Sequence, residues 1–478
     1  MTTFIGRKKE LQQLQSLFTK KTANLVVIKG RRRIGKSRLI EEFAKDVKFF
    51  AFSGLPPTEG ISAQHQRDEF ALQLGRLFYI PTPSSKDWSD LFWTLAHHTQ
   101  EGRCVILLDE ISWMGFKDPT FLGKLKNAWD LHFKKNSELV LVLCGSVSSW
   151  IEKNILSSTG FVGRVDLILT LNELNLPDCN KFWGSYRDQW SSYEKFKLLS
   201  IIGGVPRYLE LMSPQLTAEE NIKRICFTKE GFLFNEFDQL FHDLFARRSE
   251  TYKEILSALI NKPYTSLADL FKDLNVKKSG FLSDYIEDLT LAGFLKRDYT
   301  WSIRNGKVSK LSHLRVSDNY VRFYLKCILP NKARIERDAF EDRSLATLPG
   351  WESLMGFQFE NLVLQNRSWL HKLLHIDPNE IVNDNPYFQR QTKIQKGCQI
   401  DYMIQTRFNS LYICEVKFSR NPVNVSVIEE VKEKIKAIAL PKHFSYRPVL
   451  IHMNGVDESV IANEFFAEII NFGDLLIS

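Results

Sequence analysis

No part of this sequence approaches the roughly 20 consecutive apolar residues that a helix needs to cross a bilayer. The longest apolar run, Leu139-Val-Leu-Val-Leu-Cys144, has only the length of a strand. The opening residues, Met-Thr-Thr-Phe-Ile-Gly-Arg-Lys, lack the apolar core of a secretory signal. Paired cysteines are missing as well. Seven occur singly, at 104, 144, 179, 226, 327, 398 and 414, with no C-x-x-C pair among them. That pattern speaks against a disulfide framework or a zinc site and for buried thiols in a reducing compartment. A cytoplasmic address is expected. Internal repeats and low-complexity segments are also absent.

What is present is ordinary for a soluble globular protein: 44% hydrophobic and 25% charged residues. The 478 residues suffice for two to four domains. A formal charge of +8 permits a nucleic-acid partner without requiring one.

Three regions follow from the patterning. Residues 1–212 alternate short apolar strands (Asn24–Ile28, Cys104–Leu108, Leu139–Cys144 and a weaker Leu167–Leu169) with amphipathic helices, the mark of a parallel α/β sheet. Being apolar on both faces, these strands suit a sheet covered by helices on both sides. Residues 213–345 are mainly helical. Tyr252, Ile255, Leu256 and Leu259 recur at helical spacing, as do Phe281, Leu282, Tyr285, Ile286 and Leu289. A short helix from Thr265 to Phe271 lies between them, and alternating residues flank Arg304-Asn-Gly-Lys307, a strong hairpin signal. Three helices and a hairpin outline a winged helix. Residues 346–478 predict a second, smaller α/β domain: a helix from Trp351 to Leu364, strands at Ile400–Ile404, Leu411–Phe418 and Pro448–Met453, and a helix through Val427, Val431 and Ile435.

The first region carries a phosphate-binding loop. Gly30 and Gly35 let backbone N–H groups wrap phosphates, Lys36 neutralises β/γ charge, and the Ser37 hydroxyl suits Mg²⁺. The spacing is that of a P-loop, between the strand Leu25–Ile28 and a helix opening at Arg38. Arg31, Arg32, Arg33, Ile34 and Arg38 are further ATP-contact candidates. Such a loop also needs an acid at the end of a neighbouring strand, and Asp109-Glu110 supplies it. Asp109 would hold Mg²⁺ and Glu110 would polarise the attacking water. Ser146, at the end of the strand Leu139–Cys144, is either a γ-phosphate sensor or part of a plain turn.

Taken in order, Phe4-Ile-Gly-Arg-Lys-Lys-Glu10, the arginine-rich P-loop, Leu107-Leu-Asp-Glu110, Gly163-Arg164 and Gly203-Gly-Val-Pro206-Arg207 resemble the archaeal-type ATPases of the STAND branch, related to AAA+ ATPases. The resemblance covers roughly the first 215 residues. It implies that Phe4–Glu10 lies by the adenine and that Arg164 is an arginine finger or sensor. Pro206 would lie against the base, with Arg207 near phosphate in a helical lid. The simpler reading of Arg164 is a surface arginine.

In the middle region Lys277, Lys278 and Ser279 open the third helix, and Lys296, Arg297, Arg304, Lys307 and Lys310 dot the wing. These cations suit DNA phosphates, but Asp284, Glu287 and Asp288 on the same helix oppose them. DNA contact and an intramolecular lid or interaction role both stay open.

In the third region Glu415 and Lys417, two apart in a strand, share a face. Asp401 lies on the preceding strand of a hairpin turning at Arg407-Phe-Asn-Ser410. Two carboxylates can hold Mg²⁺, which activates water, while the lysine positions or deprotonates it. The arrangement resembles the PD-(D/E)XK nuclease fold, and Glu360 matches that fold's frequent helical acid. That domain accompanies the archaeal-type ATPases. Gln399 stands where relatives often carry Glu, so both an active nuclease and a degenerate binding domain remain open.

The expected whole is a switch ATPase using ATP and Mg²⁺, coupled to a Mg²⁺-dependent nuclease acting on DNA, in defence or mobile-element biology. Its alternatives are a non-cleaving, ATP-gated DNA-binding regulator and a scaffold that oligomerises or binds a protein partner.

Overall fold

The computed structural model describes residues 3–146, 148–245, 249–276, 280–340, 343–393 and 395–477. The chain forms two compact units. One comprises Met1–Leu174 with Leu291–Gly293, the other Asn175–Thr290 with Phe294–Ser478.

The first unit is built on five parallel strands in the order β2-β3-β4-β1-β5. These are β1 (Asn24–Lys29), β2 (Lys48–Ser53), β3 (Cys104–Asp109), β4 (Leu139–Gly145) and β5 (Val165–Thr170). Alternate residues of the central strands serve opposite faces. Val26, Ile28, Val105, Leu107, Val140 and Val142 pack with residues of the helices Lys8–Gln15 and Lys36–Phe43. Leu25, Val27, Ile106, Leu108, Leu141 and Leu143 pack on the other side with the helices Ala63–Phe78, Trp88–His98 and Phe121–Leu131. The near-continuous apolar runs arise from this double burial. With β4 between β1 and β3, the crevice beyond the strands' carboxyl ends lies where ligands of such sheets bind.

The second unit contains the rest. Its helices Ser249–Leu259, Leu267–Asp273 and Gly280–Leu291 precede the hairpin β7 (Leu295–Trp301) and β8 (Val308–Val316), with the two-residue strand β6 (Thr265–Ser266) pairing β8. The expected helices and hairpin are therefore present. Lys277, Lys278 and Ser279 lie outside the described residues.

A mixed sheet, β13-β12-β11-β10-β9, forms the C-terminal part. Its strands are β9 (Ile381–Gln389), β10 (Cys398–Thr406), β11 (Ser410–Lys417), β12 (Ser445–His452) and β13 (Glu468–Asn471). β9, β10 and β11 are antiparallel neighbours, whereas β12 runs parallel to β11 and β13 parallel to β12. The helix Ser426–Ala437 makes the β11–β12 crossover. Edge strands β9 and β13 escape a sequence reading; Ile381-Val-Asn-Asp-Asn-Pro carries turn-forming residues and a proline of the kind tolerated at a sheet edge.

Two internal contacts organise this unit. The tip and end of β7 are docked on the C-terminal sheet. Buried Trp301 donates its indole N–H to Gln405 Oε1 at 2.5 Å, Gln405 Nε2 donates to the Ile303 carbonyl at 2.9 Å, and Asn383 Nδ2 donates to the Gly306 carbonyl at 2.8 Å. The wing is thus anchored within the molecule along this side, although Arg304, Lys307 and Lys310 remain exposed. Farther along the hairpin, buried Arg315 donates through Nε to Asp298 at 2.6 Å and through Nη1 to Asn361 at 2.5 Å, tying it to the helix Trp351–Gln365.

The helix Ser192–Ile202 makes the other contact. Phe196 meets Phe359 edge-on at 5.5 Å, and Tyr193 stacks on Phe418 at 5.3 Å. Lys195 Nζ donates to Asn180 Oδ1 at 2.8 Å and to the Leu476 carbonyl at 2.9 Å. A buried amine needs such partners. Among the described residues no helix is long and apolar enough to cross a membrane.

Candidate functional site

The P-loop leaves β1 at Lys29 and enters the helix Lys36–Phe43. Its backbone demands its glycines. A Cβ at Gly30 would stand 2.6 Å from the Leu171 carbonyl oxygen, and Gly35 caps the helix at φ 86°. Lys36 is buried, its Nζ donating to the carbonyls of Gly30 at 2.9 Å and Arg31 at 3.1 Å across the loop. Ile34 is fully buried. Arg7, near the N-terminus, donates to the carbonyls of Ile34 at 3.1 Å and Asn172 at 2.5 Å. The Phe4–Glu10 segment is held against the loop in this way.

The arginines of the loop diverge. Arg31 pairs with Glu173 at 3.3 Å, Arg32 lies over the Trp113 ring at 5.6 Å, and Arg33 takes a left-handed φ of 67°. Arg38, on the helix, pairs with Glu41 at 3.3 Å.

Three strand ends converge beside the loop. Ser37 Oγ donates to Asp109 Oδ2 at 2.6 Å, although β4 separates the parent strands β1 and β3. A hydroxyl and a carboxylate this close form a donor set suited to an octahedral Mg²⁺ completed by water and phosphate. Glu110 follows at a left-handed φ of 48°, and its Oε2 accepts from Ser146 N at 3.2 Å and Ser146 Oγ at 2.9 Å. A cavity of about 410 Å³ opens beside Ser37 and Asp109, walled also by Phe52, Glu69 and Arg76.

Arg164 is elsewhere. It directly precedes β5, whose Val165 pairs with Leu25 at the start of β1, whereas the P-loop leaves the other end of that strand. About a strand length, roughly 15 Å, separates the two. The arginine instead makes a two-pronged ion pair with Asp130, with Nε at 3.0 Å and Nη2 at 2.9 Å. Its guanidinium thus faces Asp130 rather than the chain's own P-loop. Pro206 opens the short helix Pro206–Leu209 in the second unit, after Gly203 at φ 60°. Arg207 is exposed, pairing with Glu210 at 3.2 Å and lying over Phe232 at 5.5 Å.

A second cluster lies in the C-terminal sheet. The register pairs Tyr402 with Cys414, which sets Asp401 opposite Glu415. Asp401 Oδ2 accepts from the Val416 amide at 3.0 Å. Lys417 Nζ contacts Glu415 Oε1 at 3.0 Å, so the two residues do share a face, and it also reaches Glu430 at 2.7 Å. Glu360 arrives from the helix Trp351–Gln365. Burial and the neighbouring Asp401 charge push its carboxyl up to about 8. Burial and the Glu415 charge raise Asp401 to about 6. Lys417 stays charged: burial opposes the ammonium, but Glu415 and Glu430 outweigh it. Such displacements are common at functional sites and also in structural ion networks.

One member of this cluster escapes the sequence reading. Lys434, from the helix Ser426–Ala437, sets its Nζ 2.5 Å from Glu415 Oε2 and 3.6 Å from Asp401 Oδ1. In sequence, Glu430 and Lys434 look like an ordinary i,i+4 surface pair, and only the crossover reveals otherwise. Among the described residues no three His, Cys, Asp or Glu side chains stand together at metal-holding spacing. Asp401 and Glu415 remain as a two-carboxylate donor set, which suffices for Mg²⁺ only when water and phosphate complete the shell.

Residues 4–212 match the model of a family described as an ATPase domain predominantly from Archaea. An uncharacterized protein of Methanocaldococcus jannaschii is 25% identical over 372 residues, spanning 77% of this chain and 78% of its own. An uncharacterized ATP-binding protein of the same organism is 42% identical over 45 residues, covering 9% of this chain and 76% of its own. Among solved structures, the Walker-type ATPase of Pyrococcus abyssi superposes with a TM-score of 0.52 at 17% identity, over 67% of this chain and 96% of that one. Residues 4–212 are an archaeal-type P-loop ATPase domain.

Proposed function

We propose that this archaeal-type ATPase domain works as a nucleotide switch for a Mg²⁺-dependent nuclease-like domain, residues 346–478, that acts on DNA. In this reading the amides of Gly30–Ser37 wrap the phosphates, with Arg31, Arg32, Arg33 and Arg38 around them. Lys36 leaves its carbonyl partners to neutralise the β/γ charge, and Ser37 and Asp109 hold the cation. Mg²⁺, when bound there, neutralises charge developing on the phosphates. Glu110 orients the attacking water, restrained by Ser146 until γ-phosphate competes for that hydroxyl. The 2.6 Å Ser37–Asp109 hydrogen bond and the Ser146–Glu110 pair support these roles. Pro206 and Arg207 keep the nucleotide-sensing role that the family resemblance implies for them. A finger role for Arg164 would act on the nucleotide of a neighbouring copy, because its own P-loop lies beyond the other end of the paired strands β1 and β5.

Coupling has a physical candidate. The helix Ser192–Ile202 contacts Phe359 and Phe418, the residues next to Glu360 and Lys417. Any displacement of that helix is felt at both acidic-site elements, because close-packed interiors transmit strain. The middle region, 213–345, is read as a winged helix. Its docked hairpin and the exposed acids Asp284 and Glu287 favour an intramolecular role, with Arg304, Lys307 and Lys310 left for phosphate contact.

The observation that carries the nuclease reading is the convergence of Asp401, Glu415 and Lys417 beside Glu360. Asp401 and Glu415 would hold Mg²⁺, which supplies an activated water and stabilises the scissile phosphate. Lys417 would orient that water, and Glu360, neutral near pH 7, would donate a hydrogen bond. The test is DNA incubated with Mg²⁺, with and without ATP, against wild type and the Glu415→Ala/Lys417→Ala variant. Cleavage by wild type alone is expected; equal cleavage by the variant sinks the site.

The Lys434 ion pair favours a second reading, a non-cleaving DNA-binding regulator. It gains if wild type and Asp401→Ala bind DNA alike and neither cuts it.

A further inference from the structure

Two carboxylate oxygens, Asp401 Oδ1 and Glu415 Oε2, face one ammonium. Lys434 Nζ lies 2.5 Å from the glutamate oxygen and 3.6 Å from the aspartate oxygen. The other oxygens have separate partners: Asp401 Oδ2 takes the Val416 amide, and Glu415 Oε1 takes Lys417. A divalent cation held by Asp401 and Glu415 would compete with the ammonium for these carboxylates. Lys434 is not required to hold its own helix, whose buried residues are Val427, Ile428 and Val431. Its side chain is 28% exposed, so a flexible four-carbon stem can carry the charge toward solvent while the backbone stays still.

We propose that Lys434 is a built-in competitor of the divalent cation at the Asp401–Glu415 pair, setting the cation level at which that site loads. The inference rests on the metal-binding reading of the pair. A resident ammonium and an incoming divalent cation repel one another and share both ligands, so one must leave before the other is held. An arriving nucleic-acid phosphate offers the ammonium another anionic partner. Substrate therefore promotes cation loading, and the pair stays neutralised between encounters.

The test is calorimetric titration of the nucleotide-free full chain with Mn²⁺, which keeps triphosphate-bound metal at the P-loop out of the signal. Wild type, Lys434→Gln, Lys434→Met, Lys434→Gln/Asp401→Asn and the control Lys432→Gln are compared, with circular dichroism reporting the fold. Lys432 pairs with Glu429 on the helix exterior, so its variant makes the same change in net charge away from the pair. Both Lys434 variants are expected to bind Mn²⁺ at least tenfold more tightly than wild type, with Asp401→Asn abolishing the gain and Lys432→Gln showing none. If wild type binds through Asp401 and the Lys434 variants bind no more tightly, the competitor role is overturned while the metal reading stands. An equal gain in Lys432→Gln assigns the effect to net charge and also overturns it. If folded wild type and folded Lys434 variants all fail to bind Mn²⁺, the metal reading falls, and the inference with it.

Discussion

The carboxyl of Glu360 makes stability depend on pH in a way that one substitution removes. Burial and the Asp401 charge raise it to about 8, whereas an unfolded chain titrates near its ordinary value of about 4.5. Below about pH 4.5 both states hold the proton, and the neutral form is fully accommodated in the fold. Between about pH 4.5 and about pH 8 the unfolded chain releases its proton and the folded chain keeps it, so stability falls as pH rises. Above about pH 8 the loss is complete. Each pH unit is worth at most about 1.4 kcal/mol, which sets a ceiling near 5 kcal/mol. Glu360 is only partly buried and shares its charge with Asp401, so about 2 to 3 kcal/mol is the working expectation. Glu360→Gln keeps the shape and loses the titration. Native-state hydrogen exchange of amides in the helix Trp351–Gln365, at about pH 5 and about pH 9, measures the local free energy in both proteins. Relative to wild type, the variant should gain those 2 to 3 kcal/mol between the two pH values. Parallel pH dependences would refute the reasoning, as would a variant that loses stability relative to wild type on going to the higher pH.

Three further substitutions probe other parts of the structure. Gly30→Ala drives a Cβ to 2.6 Å from the Leu171 carbonyl, so the P-loop must shift; a fluorescent ATP analogue should bind at least about tenfold more weakly, and unchanged affinity would contradict the loop geometry. Arg164→Ala breaks a partly exposed ion pair with Asp130, and a dilute-solution nucleotide titration should show no change; a tenfold loss would restore a role at its own P-loop. Trp301→Ala removes a buried ring and its bond to Gln405, and should destabilise the second unit by about 3 to 5 kcal/mol in urea unfolding; a cost under about 1 kcal/mol would show that the hairpin is not docked as described.

The local devices were legible because they obey local rules. A glycine-framed loop between an apolar strand and a helix announces itself in eight residues, and apolar runs of four to six announce doubly covered strands. The two-residue side-chain period of a strand is enough to put Glu415 and Lys417 on one face. The edges were not legible. β9 and β13 carry polar residues and a proline, since an edge strand is not buried on both sides.

What the sequence by itself determined is therefore the chemistry available at each position: a phosphate loop, an acid after a buried strand, and a hairpin with an acid on one arm and Glu-x-Lys on the other. Tertiary structure alone decided which groups meet. Strand order set Ser37 beside Asp109, parallel pairing left Arg164 at the end of the strands away from the P-loop, and the helix between β11 and β12 brought Lys434 onto the Asp401–Glu415 pair. Sequence periodicity assigns a residue to a face of its own helix or strand. The partner across from that face depends on crossovers joining residues far apart in the chain, and these form only when the whole sheet closes.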